Sequence, residues 1–156
     1  MKAVTTLLAI AVAVAASPAV AANTNVPFTG TIISTCTLTV GTAGELAPNA
    51  AYSVLGSKEA GGTSGAVTII STGATFHVTA DAPSAFSQGP AGANTSTTFV
   101  AEYKATGVTS TGQLLGTTST LVNPGVTNLQ VDLTATKSAG VFGQGFYQAE
   151  VVVRCE

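Results

Sequence analysis

The chain of 156 residues is weakly charged: charged side chains make up 8% of it, with 5 basic and 7 acidic residues. A surface that binds nucleic acid needs clustered lysine and arginine to neutralise phosphates, so this composition argues against a nucleic-acid partner. The length is that of one domain with a single hydrophobic core.

Residues 1–22 have the composition of a secretory signal peptide. Lys2 gives a positive start, residues 3–16 form an apolar run without charge, and small residues lead up to Ala22. This order predicts cleavage after Ala22 and an exported mature domain of residues 23–156. The apolar run is shorter than the roughly 20 residues of a spanning helix, so no membrane span is expected in the mature chain. Without Lys2, four basic residues remain against seven acidic ones, a net charge of −3.

The two cysteines, Cys36 and Cys155, lie near the two ends of the exported domain. In an oxidising compartment two cysteines usually pair, whereas a metal site needs three or four ligands at short spacing. We therefore expect a Cys36–Cys155 disulfide that ties the first strand to the last, and no metal or other cofactor. Closing so long a loop stabilises a fold by up to about 4–5 kcal/mol.

The mature chain contains no sustained helical spacing of apolar residues with caps at both ends. Short apolar or alternating runs recur instead between Gly, Pro, Asn and Ser residues, which is typical of an all-β sandwich or small barrel. The predicted strands cover residues 26–40, 51–55, 66–71, 74–80, 97–105, 113–121, 126–136 and 145–155.

Several of these runs alternate with a period of two, so that one face is core and the other is solvated. The same alternation places His77 on the solvent face of its strand, opposite Val78 and Ala80. In the run from residue 126, the predicted inner residues are Leu129, Val131, Leu133 and Ala135, and the predicted outer residues are Asn128, Gln130, Asp132 and Thr134.

No group of residues predicts catalysis. The carboxylates are isolated from one another, whereas acid–base chemistry needs two of them converging on one cleft. His77 is the only histidine, and no Gly-x-Ser-x-Gly motif accompanies it. The sequence therefore predicts a protein that is not an enzyme.

Three segments carry a recognisable pattern. Residues 28–38 (FTGTIISTCTL) contain an aromatic residue, a glycine and a cysteine, Leu55-Gly56 forms a Leu-Gly pair, and residues 145–153 (GFYQAEVVV) combine glycine, aromatics and an alternating strand. These segments resemble chaperone–usher pilins and the related spore-coat-U-like domains. The resemblance implies an immunoglobulin-like (pilin-type) β-sandwich that lacks its final strand.

In that family a periplasmic chaperone first fills the gap, and the N-terminal extension of the next subunit then replaces it. The resemblance therefore implies self-association by β-strand complementation. It also implies a place in the periplasm, at the cell surface or in an extracellular fimbrium. The residues expected to line the acceptor groove are Phe146, Ala149, Val151 and Val153. Those expected to fill it are Val26, Phe28, Gly30 and Ile32, where Gly30 lets two strands approach closely.

Two other interpretations remain open from the sequence. The same eight residues are equally compatible with ordinary core packing, because strand composition does not distinguish the two. Alternatively, the protein is a monomeric secreted β-sandwich that binds carbohydrate or protein through its loops, of which residues 81–94 and 107–113 are the leading candidates. These loops contain few aromatic residues for stacking on a sugar.

Overall fold

The computed structural model describes residues 20–156. Residues 1–19, and with them most of the signal peptide predicted over residues 1–22, lie outside the described residues. The chain divides into two units, Met1–Thr31 and Ile32–Glu156. In the first unit, residues 20–31 form neither helix nor strand.

The unit Ile32–Glu156 confirms the predicted all-β class: its described residues contain strands and no helix, and every strand pairing is antiparallel. The strands are β1 (Cys36–Thr42), β2 (Ala47–Pro48), β3 (Val54–Gly56), β4 (Gly65–Ser71), β5 (His77–Asp81), β6 (Thr97–Gly107), β7 (Leu114–Leu115), β8 (Thr120–Leu121), β9 (Gly125–Lys137) and β10 (Val152–Cys155).

The larger sheet has seven strands and is built around β9. One edge of β9 pairs with β6, and the other edge pairs with β4 and then with β3. The short strands β7 and β2 add to β6 and β3. Strand β1 pairs with β4 alone among the described strands, so β1 is an edge strand.

The smaller sheet has the order β10–β5–β8, which makes β10 an edge strand as well. The inner faces of the two sheets share one core, so the arrangement is sandwich-like. Tyr103 lies fully buried in this core, and its hydroxyl donates a hydrogen bond of 2.8 Å to the carbonyl oxygen of Thr118. The core consists of Ile69, Val78, Ala80, Tyr103, Ala105, Val122, Leu129 and Val131.

Gly116 joins the two sheets at the edge opposite β1 and β10. Its N–H donates to Ala101 of β6 and its carbonyl oxygen accepts from the N–H of Ala80 of β5, both at 2.8 Å. A Cβ atom at this position would lie 1.9 Å from the carbonyl oxygen of Ala80. The close approach of the residue 116 backbone to Ala80 therefore requires glycine. The two backbone hydrogen bonds of Gly116 link the sheets along this edge of the sandwich.

The alternation predicted for β9 is confirmed on its inner face, where Leu129, Leu133 and Ala135 are buried. It is wrong at Asp132, which was expected outside but is only 5% exposed. The segment that follows β3 and the side chain of Gln113 cover Asp132 and hydrogen-bond to it.

Several predicted strands are shorter than expected, and the run over residues 113–121 is divided into β7 and β8. The runs at the two ends of the domain are shortened most at one end. The run over residues 26–40 becomes a strand only at Cys36, and the run over residues 145–155 becomes one only at Val152. Extended backbone forms a regular strand when a neighbour accepts and donates its hydrogen bonds. At both shortened ends, the described residues provide no continuous strand partner.

Candidate functional site

Cys36 and Cys155 form a disulfide, with their Cα atoms 6.3 Å apart. Cys36 begins β1 and Cys155 ends β10, so the bond joins the edge strands of the two sheets. The structure thus brings together the two residues paired in the sequence analysis. A disulfide is compatible with an exported protein.

A cleft of about 490 Å³ opens along the edge beyond this disulfide. The two strands lead away from the bond in opposite chain directions. Strand β1 runs from Cys36 toward Thr42, and β10 is followed backward from Cys155 toward Val152. The walls include Val40 and Val67 on one side and Ala149, Val151 and Val153 on the other. The 6.3 Å between the two Cα atoms leaves no room for a strand at the disulfide, and the cleft beyond it is lined mainly by apolar side chains from both layers.

The side chains at the edge of the core are partly exposed along this cleft. Leu38, Val67, Val151 and Val153 pack against the buried core but remain only partly buried. Val40 follows Cys36 and Leu38 in the inward phase of β1, yet it is 73% exposed. Apolar area left in water forfeits about 25 cal/mol per Å² of stabilisation, so covering these side chains would stabilise the domain.

A second cleft of about 910 Å³ continues from the first, and the two share Gly44, Leu46, Gln148 and Ala149 in their walls. We call the two clefts together the edge groove, and the end farthest from the disulfide its mouth. Tyr52 and Phe146 line the mouth, and Phe146 is 70% exposed. Beneath it lies a cluster of edge-to-face aromatic rings, Phe86, Phe99, Phe142 and Tyr147.

The four acceptor residues expected from the sequence, Phe146, Ala149, Val151 and Val153, all line the edge groove. Sequence reasoning missed the opposite wall, which includes Val40, Leu46 and Val67. The sequence did contain a signal for this wall. Cys36, Leu38 and Val40 alternate along β1, and this alternation places Val40 on the inner face.

The four donor residues expected from the sequence precede β1 in the chain. Val26 is 67% exposed, Phe28 is 94% exposed and Ile32 is 88% exposed. No atom lies within 4 Å of the position that a Cβ of Gly30 would occupy. Among the expected acceptor residues, Phe146 is likewise exposed.

The domain Ile32–Glu156 begins at the closed end of the groove. Thr72, just after β4, accepts a hydrogen bond at Oγ1 from the N–H of Thr35 at 2.8 Å. The same hydroxyl donates to the carbonyl oxygen of Ile33 at 3.0 Å. The backbone from Ile33 to Thr35 is thus fixed beyond the start of β1, next to the disulfide.

Asp132 is the buried carboxylate of the large sheet. Its Oδ1 accepts hydrogen bonds of 2.7 Å from the hydroxyls of Ser57 and Ser64, and its Oδ2 accepts one of 3.1 Å from the amide of Gln113. Burial raises the pKa of Asp132, but these hydrogen bonds and the charge of Lys58 outweigh burial and hold the pKa below its usual value. The arrangement fastens the segment after β3 to the sheet.

The other residues considered in the sequence are dispersed. His77 is exposed at the start of β5, where its backbone pairs with Glu156. The loop over residues 81–94 folds onto the core through Phe86, whose N–H donates to the side chain of Asn94 at 2.7 Å. Neither of the two clefts includes a residue of this loop or of residues 107–113.

Within residues 20–156, no helix is long and apolar enough to cross a membrane. In the same part of the chain, no three His, Cys, Asp or Glu side chains group as metal ligands. No family model, no curated protein and no solved structure matches the chain.

Proposed function

We propose that the protein is an exported structural subunit with an immunoglobulin-like, pilin-type sandwich that lacks one strand. Another copy of the chain supplies this strand, and the subunits assemble into a fimbrium or surface layer without catalysis or a cofactor. The observation that carries the proposal is the edge groove, whose cleft beside the disulfide is lined mainly by apolar residues and lies between the edge strands β1 and β10. The resemblance of both ends of the chain to chaperone–usher pilins agrees with it.

The part of the groove beside the disulfide suits an extended peptide, because residues of the edge strands β1 and β10 line it. The outer edges of β1 and β10 pair with no other described strand. A strand inserted between them gains backbone hydrogen bonds along its length and covers the half-buried side chains beneath it. An edge that otherwise favours aggregation thereby becomes an assembly surface.

The donor is the segment from Val26 to Ile32 of a second copy. In an extended strand, alternate residues point to the same face, so Val26, Phe28, Gly30 and Ile32 present one apolar face with a small residue in it. The segment spans about 20 Å when extended, since a strand rises about 3.3 Å per residue. It is as long as β1, which has seven residues.

Before assembly the groove needs a temporary cover, because an open apolar edge in a concentrated compartment aggregates. A periplasmic chaperone that lends a strand is the partner proposed for this stage. Mature subunits purified without such a cover are expected to polymerise or aggregate.

The test is a non-reducing detergent gel of the mature protein, run with and without heating. Strand-complemented polymers resist detergent and give a ladder that collapses to one band on boiling. Phe28→Asp removes the donor face and Val151→Asp removes the acceptor face, so each variant alone gives no ladder. A mixture of the two gives only a dimer, because Phe28→Asp retains a groove and Val151→Asp retains a donor.

The matched control is Thr29→Asp, which adds the same charge on the opposite face of the donor segment and preserves the ladder. A single compact monomer of the wild-type protein in both lanes would contradict the proposal. The groove would then be filled within the same chain, and the loops would become the sites to examine for binding.

A further inference from the structure

A small apolar patch lies on the outer face of the large sheet, at the end where the domain begins. Ile70 and Val126 are paired across β4 and β9, and each is 48% exposed. Val108, which is 47% exposed, donates its N–H to the carbonyl oxygen of Val126 at 3.1 Å. Ile70 is two residues from Thr72, which holds Ile33. We call Ile70, Val108 and Val126 the tail patch.

A second apolar patch lies at the mouth of the edge groove. Tyr52, Val141 and Phe146 are 57%, 61% and 70% exposed. The N–H of Phe142 donates to the carbonyl oxygen of Tyr52 at 2.7 Å, which holds Val141 next to the tyrosine. We call Tyr52, Val141 and Phe146 the mouth patch.

The two patches lie at opposite ends of β9. Val126 is near the start of this strand, and Lys137 at its end donates its N–H to the carbonyl oxygen of Ser53, beside Tyr52. A strand of this length spans about 40 Å at 3.4 Å per residue. The tail patch and the mouth patch are therefore separate surfaces that one copy cannot bring together.

The chain has no spacer between the donor segment and the domain. The donor face ends at Ile32, and the carbonyl of Ile33 is already hydrogen-bonded to Thr72. The Cys36–Cys155 disulfide closes the other end of the groove, so a donor strand leaves through the mouth with Val26 toward the disulfide. The body of the donor copy then lies against the mouth of the acceptor copy.

From this geometry we infer, on the basis of the proposed function, a second contact between successive copies. The tail patch of the donor copy packs against the mouth patch of the acceptor copy, outside the groove. Both patches are apolar and uncharged. Because no spacer lies between the donor segment and its own domain, the two copies are held too close for a layer of water to separate them. The contact is head-to-tail, so it repeats along the fibre and restrains its bending.

The first experiment places a photo-crosslinking amino acid at Val126 in the polymerising protein. The expected product links Val126 of one copy to residues 52, 141 or 146 of the next, as identified by mass spectrometry of the cleaved peptides. The matched control carries the same amino acid at Val100, which is 46% exposed on the outer face of β6. It is expected to give no link to the mouth patch.

The second experiment examines the double variant Ile70→Ser and Val126→Ser by electron microscopy of the fibres. The detergent-resistant ladder is expected to persist, because the donor strand is intact, while the persistence length falls at least twofold. A ladder with crosslinks mapping elsewhere and unchanged stiffness would overturn the end contact and leave the proposed function standing. Absence of a ladder from the wild-type protein would overturn both.

Discussion

Cys36 and Cys155 are 119 residues apart in sequence, yet their disulfide joins the edge strands of two different sheets. The bond joins the start of β1 to the end of β10, and Val40 of β1 and Val153 of β10 line the groove beyond it. It is a covalent tie between the two layers at the edge that carries the groove. The disulfide therefore holds the two walls of the groove together.

Reduction of this disulfide is expected to lower the melting temperature by roughly 10 °C, because the unfolded chain regains the entropy of a long loop. Circular dichroism with and without dithiothreitol measures the shift. The double variant Cys36→Ser and Cys155→Ser should melt at the reduced temperature and show no response to the reductant. Two free thiols in the exported protein would contradict the pairing.

Asp132→Asn is expected to destabilise the domain by about 1–3 kcal/mol at pH 7, because a buried, charge-assisted hydrogen-bond acceptor is lost. Urea unfolding measures the change. Glu150→Gln is the matched control, since it neutralises an exposed carboxylate and should shift the free energy of unfolding by less than about 0.5 kcal/mol.

Asp132 also predicts a pH dependence. Its folded-state pKa lies below the ordinary value of 3.8, so its stabilisation is fully present above that value. The stabilisation is lost as the pH falls from there through the folded pKa. Acid unfolding of the wild-type protein should therefore show a loss in this range that Asp132→Asn lacks. Identical acid-unfolding curves would show that Asp132 does not contribute.

The variant Val40→Ser is expected to affect the stability of the free subunit and of the assembled subunit differently. Val40 is 73% exposed, so the variant should change the stability of a monomer by less than about 0.5 kcal/mol. In a polymer the same residue contacts the donor strand, and the temperature at which the detergent ladder collapses should fall. Thr39→Ser, on the opposite face of β1, is the control. Leu129→Ala, in the buried core, should cost about 2–5 kcal/mol in both states.

A synthetic peptide of residues 23–33 should stabilise the donor-defective variant Phe28→Asp, because it binds the folded domain and not the unfolded chain. At a hundredfold excess over its dissociation constant the gain is about 2.7 kcal/mol. Differential scanning calorimetry measures the rise in melting temperature. A peptide that carries Asp in place of Phe28 should give no rise, and equal effects of the two peptides would contradict the donor assignment.

Gly116→Ala is expected to destabilise the domain by about 1–3 kcal/mol, since the added methyl group clashes with backbone and forces the two sheets apart. Gly112→Ala is the matched control, because no atom lies within 4 Å of its Cβ position. Thermal unfolding of the two variants compares them, and equal melting temperatures would contradict the role given to Gly116.

The inner faces of the central strands were predictable because burial on one side imposes a period of two, as Leu129 and Leu133 show. Asp132 was not predictable, because the period assigns it to solvent and only the folded loop after β3 buries it. The positions at which β1 and β10 begin, Cys36 and Val152, depend on which neighbouring strands provide hydrogen bonds. The local sequence does not show which strands are neighbours. The residues that line the groove could be recognised as apolar from the sequence. A buried core and an exposed edge have the same composition, however, so the sequence did not show which of the two these residues form.

The hydrogen bonds of Gly116 to Ala80 and Ala101 close the edge of the sandwich opposite the groove. Within residues 20–156, the proposal gives each subunit one groove that receives a strand and one segment that donates a strand. Units with one site of each kind grow in one dimension and do not branch. The length of such a filament would then be set by the supply of subunits and by whatever molecule occupies the last unfilled groove.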